Sequence, residues 1–136
     1  MEKQPVQRGD WQNEPMPALN KRLQLDGSFT DEEFRFISFG VLPESMEDKW
    51  FVYYEAPWLY LHRSWTGYCI YQIRFEPADG QVSVVEVVVN RDPQQYSNID
   101  DEREVQLLDT LTKSIIERYV RGRLVDSRQR INLKAE

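Results

Sequence analysis

The sequence predicts an α+β fold: a four-stranded antiparallel meander with a candidate fifth strand at its edge, a long C-terminal helix on one face and a short N-terminal helix. Three observations carry this. From Lys49 onward, KWFVYYE, WLYLHRS, YCIYQIRFE and QVSVVEVVVN are runs of aromatic and β-branched residues with a period of two. The links AP, WTG and PADG between them are short enough for antiparallel neighbours. After Asn98 the period becomes helical, with Val105, Leu108, Leu111, Ile115, Ile116 and Tyr119 on one stripe.

In chain order, residues 1–18 mix Gln, Asn, Pro and charges without a period and read as a flexible arm with Trp11 as its anchor. In KRLQLDGS, Leu23 and Leu25 alternate with polar residues ahead of a turn, the pattern of a short edge strand. FTDEEFRFISFG encodes a helix from Asp31 to Phe39. Thr30 caps it, Glu33 completes a capping box, and Phe29 and Phe34 take the hydrophobic-staple positions. Gly40 is its stop, and a turn at Pro43 leads into an acidic linker, Glu44 to Asp48. The fourth strand breaks at Arg91-Asp92-Pro93. In the long helix Asp100, Asp101 and Glu102 stand first and Arg118 and Arg121 last, the order that the helix dipole favours, with Gly122 as the expected end. The expected organisation is an arm over 1–18, one domain over 19–122 and a basic tail over 123–136.

A length of 136 residues suits a single core, and four Trp, seven Tyr and six Phe must be housed in it or on a binding face. The formal charge of −6 argues against nucleic acid as a partner. Cys69 is the single cysteine, so no intrachain disulfide forms and a reducing compartment fits best. The N-terminus has no apolar h-region and no long apolar run follows, so the expectation is a soluble, cytoplasmic chain without membrane association.

The WTG link specifies the faces. A three-residue hairpin loop closes on a residue at positive φ, which Gly67 supplies, so Ser64 is expected opposite Tyr68 and His62 opposite Ile70. Counting on puts Tyr60 opposite Gln72 and Trp58 opposite Arg74, with Phe51, Tyr53 and Glu55 sharing that face if Ala56-Pro57 is a two-residue turn. The other face collects Trp50, Val52, Tyr54, Leu59, Leu61, Cys69, Tyr71, Ile73 and Phe75 and is expected to meet the long helix. Arg63 and Glu86 intrude on that core face, and a pair between them reconciles both.

The first face is too apolar to stay wet and too polar to be an ordinary core. Its expected cover is the N-terminal region or a second copy of the chain, and the competing cover is a flat or aromatic ligand. His62 has the ordinary pKa range of a general base, yet no activated nucleophile or second histidine accompanies it, and a strand histidine among rings is the expected role. Arg63, Ser64 and Thr66 at the turn have the chemistry to hold an anion, although turn geometry alone accounts for Ser64, Thr66 and Gly67. The candidate binding residues are therefore Trp58, Tyr60, His62, Arg63, Ser64, Thr66 and Arg74, with no catalytic residue, metal ligand or cofactor assigned.

Across DKWFVYYEAPWLYLHRSWTGYCIYQIRF, Asp48 to Phe75, the chain resembles a small bacterial family of uncharacterised domains with a W-F-x-Y…L-Y-x-H-R-S-W-T-G pattern. Similar segments are associated with ADP-ribosylglycohydrolase-related proteins, so the resemblance implies an accessory role near ADP-ribose or another nucleotide. The chain lacks the acidic metal-binding motifs and the length of that hydrolase fold, and the resemblance carries no hydrolytic activity to it. The expected function is a non-enzymatic interaction or accessory module using the aromatic face, with a protein partner or a second copy of itself. A nucleotide or ADP-ribose binding protein, in one version a hydrolase, is the alternative.

Overall fold

Thr30 starts the first helix as its sequence implies: Thr30 Oγ1 accepts from the Glu33 N–H at 3.1 Å and Glu33 Oε1 accepts from the Thr30 N–H at 2.9 Å. The resulting helix, α1, runs over Asp31–Phe39. Phe29 and Phe34 meet through Phe75, with ring centroids 6.2 and 4.9 Å from it, so the staple closes onto the sheet. Gly40 then turns the chain at φ 78°, and its N–H bonds the Ile37 carbonyl.

The computed structural model describes the backbone of residues 4–135 and the side chains of residues 4–121. Its strands are β1 (Asn20–Leu23), β2 (Gly27–Thr30), β3 (Trp50–Glu55), β4 (Trp58–Arg63), β5 (Cys69–Ala78) and β6 (Gln81–Asn90). All pairings are antiparallel, in the order β1-β6-β5-β4-β3, with β2 also on β6. The four-strand meander is thus present. The expected edge strand comes in two pieces: β1 pairs with Val87 to Asn90 and β2 with Gln81 to Val84, leaving Gln24 to Asp26 between them. The opposite edge, β3, carries a bridge in which Val41 and Val52 exchange both backbone hydrogen bonds at 2.9 Å.

Ala56-Pro57, a cis peptide, links β3 and β4 in the expected register, with Glu55 opposite Trp58, Tyr53 opposite Tyr60 and Phe51 opposite His62. Between β5 and β6 the turn is tighter than PADG suggests. Pro77 and Ala78 remain in β5, and Asp79 and Gly80 turn the chain at φ 45° and 79°, the positive values that a two-residue hairpin favours.

Two bulges correct the expected faces. His62 lies opposite Cys69 rather than Ile70, because the WTG corner is a four-residue loop from Ser64 to Gly67, closed by the Gly67 N–H on the Arg63 carbonyl and the Arg63 N–H on the Tyr68 carbonyl. Ile70 is the extra residue and joins the main core, while Cys69 is buried opposite the imidazole. On β6, Val85 is extra: Arg74 pairs with Glu86 and Phe75 with Val84, so Val82 and Val84 face the core before the bulge and Val87 and Val89 after it. Glu86 therefore faces the other way, where it pairs with Arg22 and, at 3.2 Å, with Arg74. The expected Arg63–Glu86 pair does not form; Arg63 stacks over Trp50 instead, 4.5 Å from its ring centroid.

The second helix, α2, runs over Asp101–Ala135. Asp100 Oδ1 accepts from the Glu102 and Arg103 N–H groups at its start. It continues through Gly122, a residue whose cost inside a helix is only about 1 kcal/mol relative to Ala. The side chains of the basic tail, 123–136, lie outside the described residues. Leu108 and Ile115 are buried against Ile37, Val52, Leu59, Leu61 and Ile73, with Leu107, Leu111, Ile116 and Tyr119 packed around them, so both helices cover one sheet face. Tyr119 stacks on Phe36 at 6.1 Å and donates to the Gly40 carbonyl at 2.7 Å, joining α2 to the end of α1.

At Gly40 an added Cβ would lie 2.2 Å from the Val52 carbonyl oxygen, in addition to the cost of positive φ. Gly40→Ala is expected to lose about 2–4 kcal/mol of stability, whereas Gly9→Ala, in open space, should change it by less than about 0.5 kcal/mol. Urea unfolding of the two variants measures the contrast.

Candidate functional site

The β4–β5 hairpin end collects bonds from distant parts of the chain. Gly67 sits at φ 79°, and its carbonyl accepts from the Glu14 N–H at 2.7 Å and lies 2.9 Å from His62 Nδ1. Ser64 donates its N–H to the Lys49 carbonyl at 2.8 Å and its hydroxyl to the Asp48 carbonyl at 2.6 Å. The Ser64 carbonyl accepts from Trp11 Nε1 at 2.7 Å and Gln12 Nε2 at 2.9 Å. Every polar group of Ser64 is thereby engaged in holding the corner, which the small side chain and buried position of the residue allow.

The N-terminal arm lies along the aromatic face. Val6 donates to the Phe39 carbonyl at 2.8 Å and packs on Phe51 and Tyr53. Arg8, within a single 3-10 turn, meets Glu55 at 2.5 Å and places its guanidinium 5.7 and 5.8 Å from the Tyr53 and Tyr60 ring centroids. Beneath it the rings form a ladder: Tyr60 on Tyr53 at 5.0 Å and Tyr53 on His62 at 5.5 Å, both near parallel. Burial pushes the Tyr53 hydroxyl up to about 12 and does the same to the Cys69 thiol, which keeps that thiol protonated. His62 is only 2% exposed, and burial holds its pKa below the ordinary 6.5 against the opposing effect of the Gly67 carbonyl. A neutral ring facing a carbonyl must carry its proton on Nδ1, which leaves Nε2 as a buried acceptor without a partner among the described residues.

A second surface lies at the corner itself, where Trp11 and Gln12 of the arm meet it. Trp65, at the second position of the four-residue corner, is 69% exposed, and its Nε1 donates at 2.9 Å to the carbonyl of Met46, itself 78% exposed. Asp48 holds the acidic linker in place by accepting from the Glu44 and Ser45 N–H groups. The indole lines a hollow of about 470 Å³ with Trp11, Pro43 and Met46 in its walls. Trp65 also lines a hollow of about 300 Å³ together with Lys49, Arg63 and Thr66.

The seven expected binding residues therefore divide. Trp58, Tyr60 and Arg74 are half-buried on the aromatic face, with Arg74 engaged by Glu86, and His62 lies beneath the arm. Arg63 and Thr66 stand at the corner, while Ser64 is 2% exposed and serves the corner's own backbone. Lys49 and Trp65 were missed. Trp65 was visible as the central residue of a tight turn, a position that points outward; Lys49 had no sequence signal, because its place depends on the long-range bond from Ser64.

The His62 shift sets a pH dependence. The unfolded chain takes up the proton near 6.5 and the folded chain only at lower pH, so the unfolded state binds more protons there and stability falls as pH drops below 6.5. His62→Gln, which keeps a donor for the Gly67 carbonyl, should flatten that loss. Urea midpoints of both proteins at about pH 7 and pH 5.5 give the comparison.

No family model matches this chain, and no curated protein or solved structure is significantly similar to it.

Proposed function

We propose that this chain is a non-enzymatic protein-interaction module whose contact surface is the hairpin corner around Trp65. The observation that carries this reading is an indole held in place by its own N–H bond yet left mostly in water, beside the exposed Met46 and Trp11. Trp is the residue type that most often dominates binding energy at an interface, and Met adapts to irregular partners. A rigid anchor also loses little conformational freedom when it is covered. The aromatic sheet face is the lesser surface, because the arm already occupies its inner half.

Trp65→Ala should weaken capture of a protein partner by about tenfold or more, while Tyr60→Ala on the aromatic face should leave it unchanged. Crosslinking capture, with thermal midpoints as the folding control, makes the comparison; loss with Tyr60→Ala alone would move the interface to the sheet face. A second copy of the chain is included among the partners, and native mass measurement of both variants detects it.

The nucleotide reading is kept alive by Lys49 and Arg63, which border the hollow beside the indole. Under that reading millimolar ADP-ribose, ATP or NAD raises the thermal midpoint of the protein, and Arg63→Ala removes the shift.

A further inference from the structure

Trp65 lines two hollows, one shared with Trp11, Pro43 and Met46 and the other with Lys49, Arg63 and Thr66. The second hollow brings together two cations that have no ion pair among the described residues. Arg8 meets Glu55, Arg22 and Arg74 meet Glu86, Arg91 meets Asp101, and Arg121 meets Glu117. Lys49 and Arg63, in a chain of net charge −6, have no carboxylate within ion-pair distance among the described residues. The flat face of the Arg63 guanidinium rests on Trp50 at 4.5 Å, which fixes the group while its N–H rim has no acceptor among the described residues. Thr66 Oγ1 accepts from the Tyr68 N–H at 3.2 Å, so its own hydrogen is available to donate. An ammonium, a fixed guanidinium and a hydroxyl together suit a carboxylate.

The other hollow differs in the sign of its charge. Glu44 lies in its wall, so an anion is repelled there, and the apolar surfaces of Trp11, Pro43 and Met46 suit a large apolar side chain. Polar groups with the chemistry to read the edge of a nucleotide base are already committed: Trp65 Nε1 to Met46, Ser64 Oγ to Asp48, and Gln12 Nε2 to the Ser64 and Trp65 carbonyls. In an extended chain, side chains two residues apart share a face at a separation of about 7 Å, and Trp65 lines both hollows. Resting on the interaction reading above, we propose that the corner recognises a short extended segment of a partner protein in which an Asp or Glu stands two residues from a large apolar residue. The carboxylate enters the Lys49–Arg63–Thr66 hollow, and the apolar side chain enters the Trp11–Pro43–Met46 hollow.

The test uses the full chain against a bead-displayed library of nonapeptides randomised at five central positions. Enrichment of Asp or Glu two positions from Phe, Leu or Met is the expected result. Affinity for the best such peptide should fall on the order of tenfold with Lys49→Glu and with Trp65→Ala. Both side chains are exposed, so the thermal midpoints should not move, and a library selected on Lys49→Glu should turn toward Lys or Arg at the same spacing. Trp65-dependent peptides lacking an acidic residue would overturn the charge assignment while the interaction reading stands. Absence of any Trp65-dependent enrichment would overturn the peptide proposal, and the capture experiment would then decide the interaction reading on its own. A Lys49-dependent thermal shift with ADP-ribose and no enriched peptide would overturn it in favour of a nucleotide.

Discussion

Two extra residues, Ile70 and Val85, determine which side chains this sheet turns toward its helices. A strand has strict alternation, and a single inserted residue reverses it for everything beyond. On β6 the insertion lets Val82, Val84, Val87 and Val89 all reach the core and rotates Glu86 to the outer face, where Arg22 and Arg74 neutralise it. Without it, either the carboxylate or half of the valines would lie on the wrong side. On β5 the insertion sends Ile70 into the core and tucks Cys69 under the aromatic face beside His62. The break in the outer edge between β1 and β2 falls opposite the β6 insertion, so the neighbouring chain follows the irregularity rather than bridging it.

The corner at Ser64 to Gly67 depends on that frame and in turn organises the arm. Three of its carbonyls, from Ser64, Trp65 and Gly67, receive donors from Trp11, Gln12 and Glu14. A loop anchored by this many long-range bonds behaves as part of the scaffold, which is what holds an exposed indole in one orientation. The same carbonyl of Gly67 fixes the proton of His62, so the one histidine serves the architecture of the corner.

Much of the fold was legible because it rests on local signals. The capping box at Thr30 and Glu33, the limits of α1 and the register from Trp50 to Arg63 all follow from residues near in sequence. The insertions were not legible, since Cys69 and Ile70 are both apolar and five valines flank Glu86, so alternation alone accepts more than one register. The end of α2 was misjudged because Gly122 weakens a helix without forbidding it. At the candidate site the turn residues were visible in the sequence, but the role of Ser64 was not: its partners are main-chain carbonyls and donors from the arm and the acidic linker, which side-chain identity does not encode. The same reason kept Lys49 out of view.

The interrupted outer edge and the Val41–Val52 bridge have a consequence for self-association. An open β-sheet normally offers two rows of unpaired backbone groups along which identical molecules can polymerise. Here one border presents only two four-residue lengths separated by Gln24 to Asp26, and the other is partly occupied by the chain's own Val41. A fibril built by adding strands finds no long template on either side, so a chain this rich in valine and aromatic residues can be abundant without its sheets growing into one another.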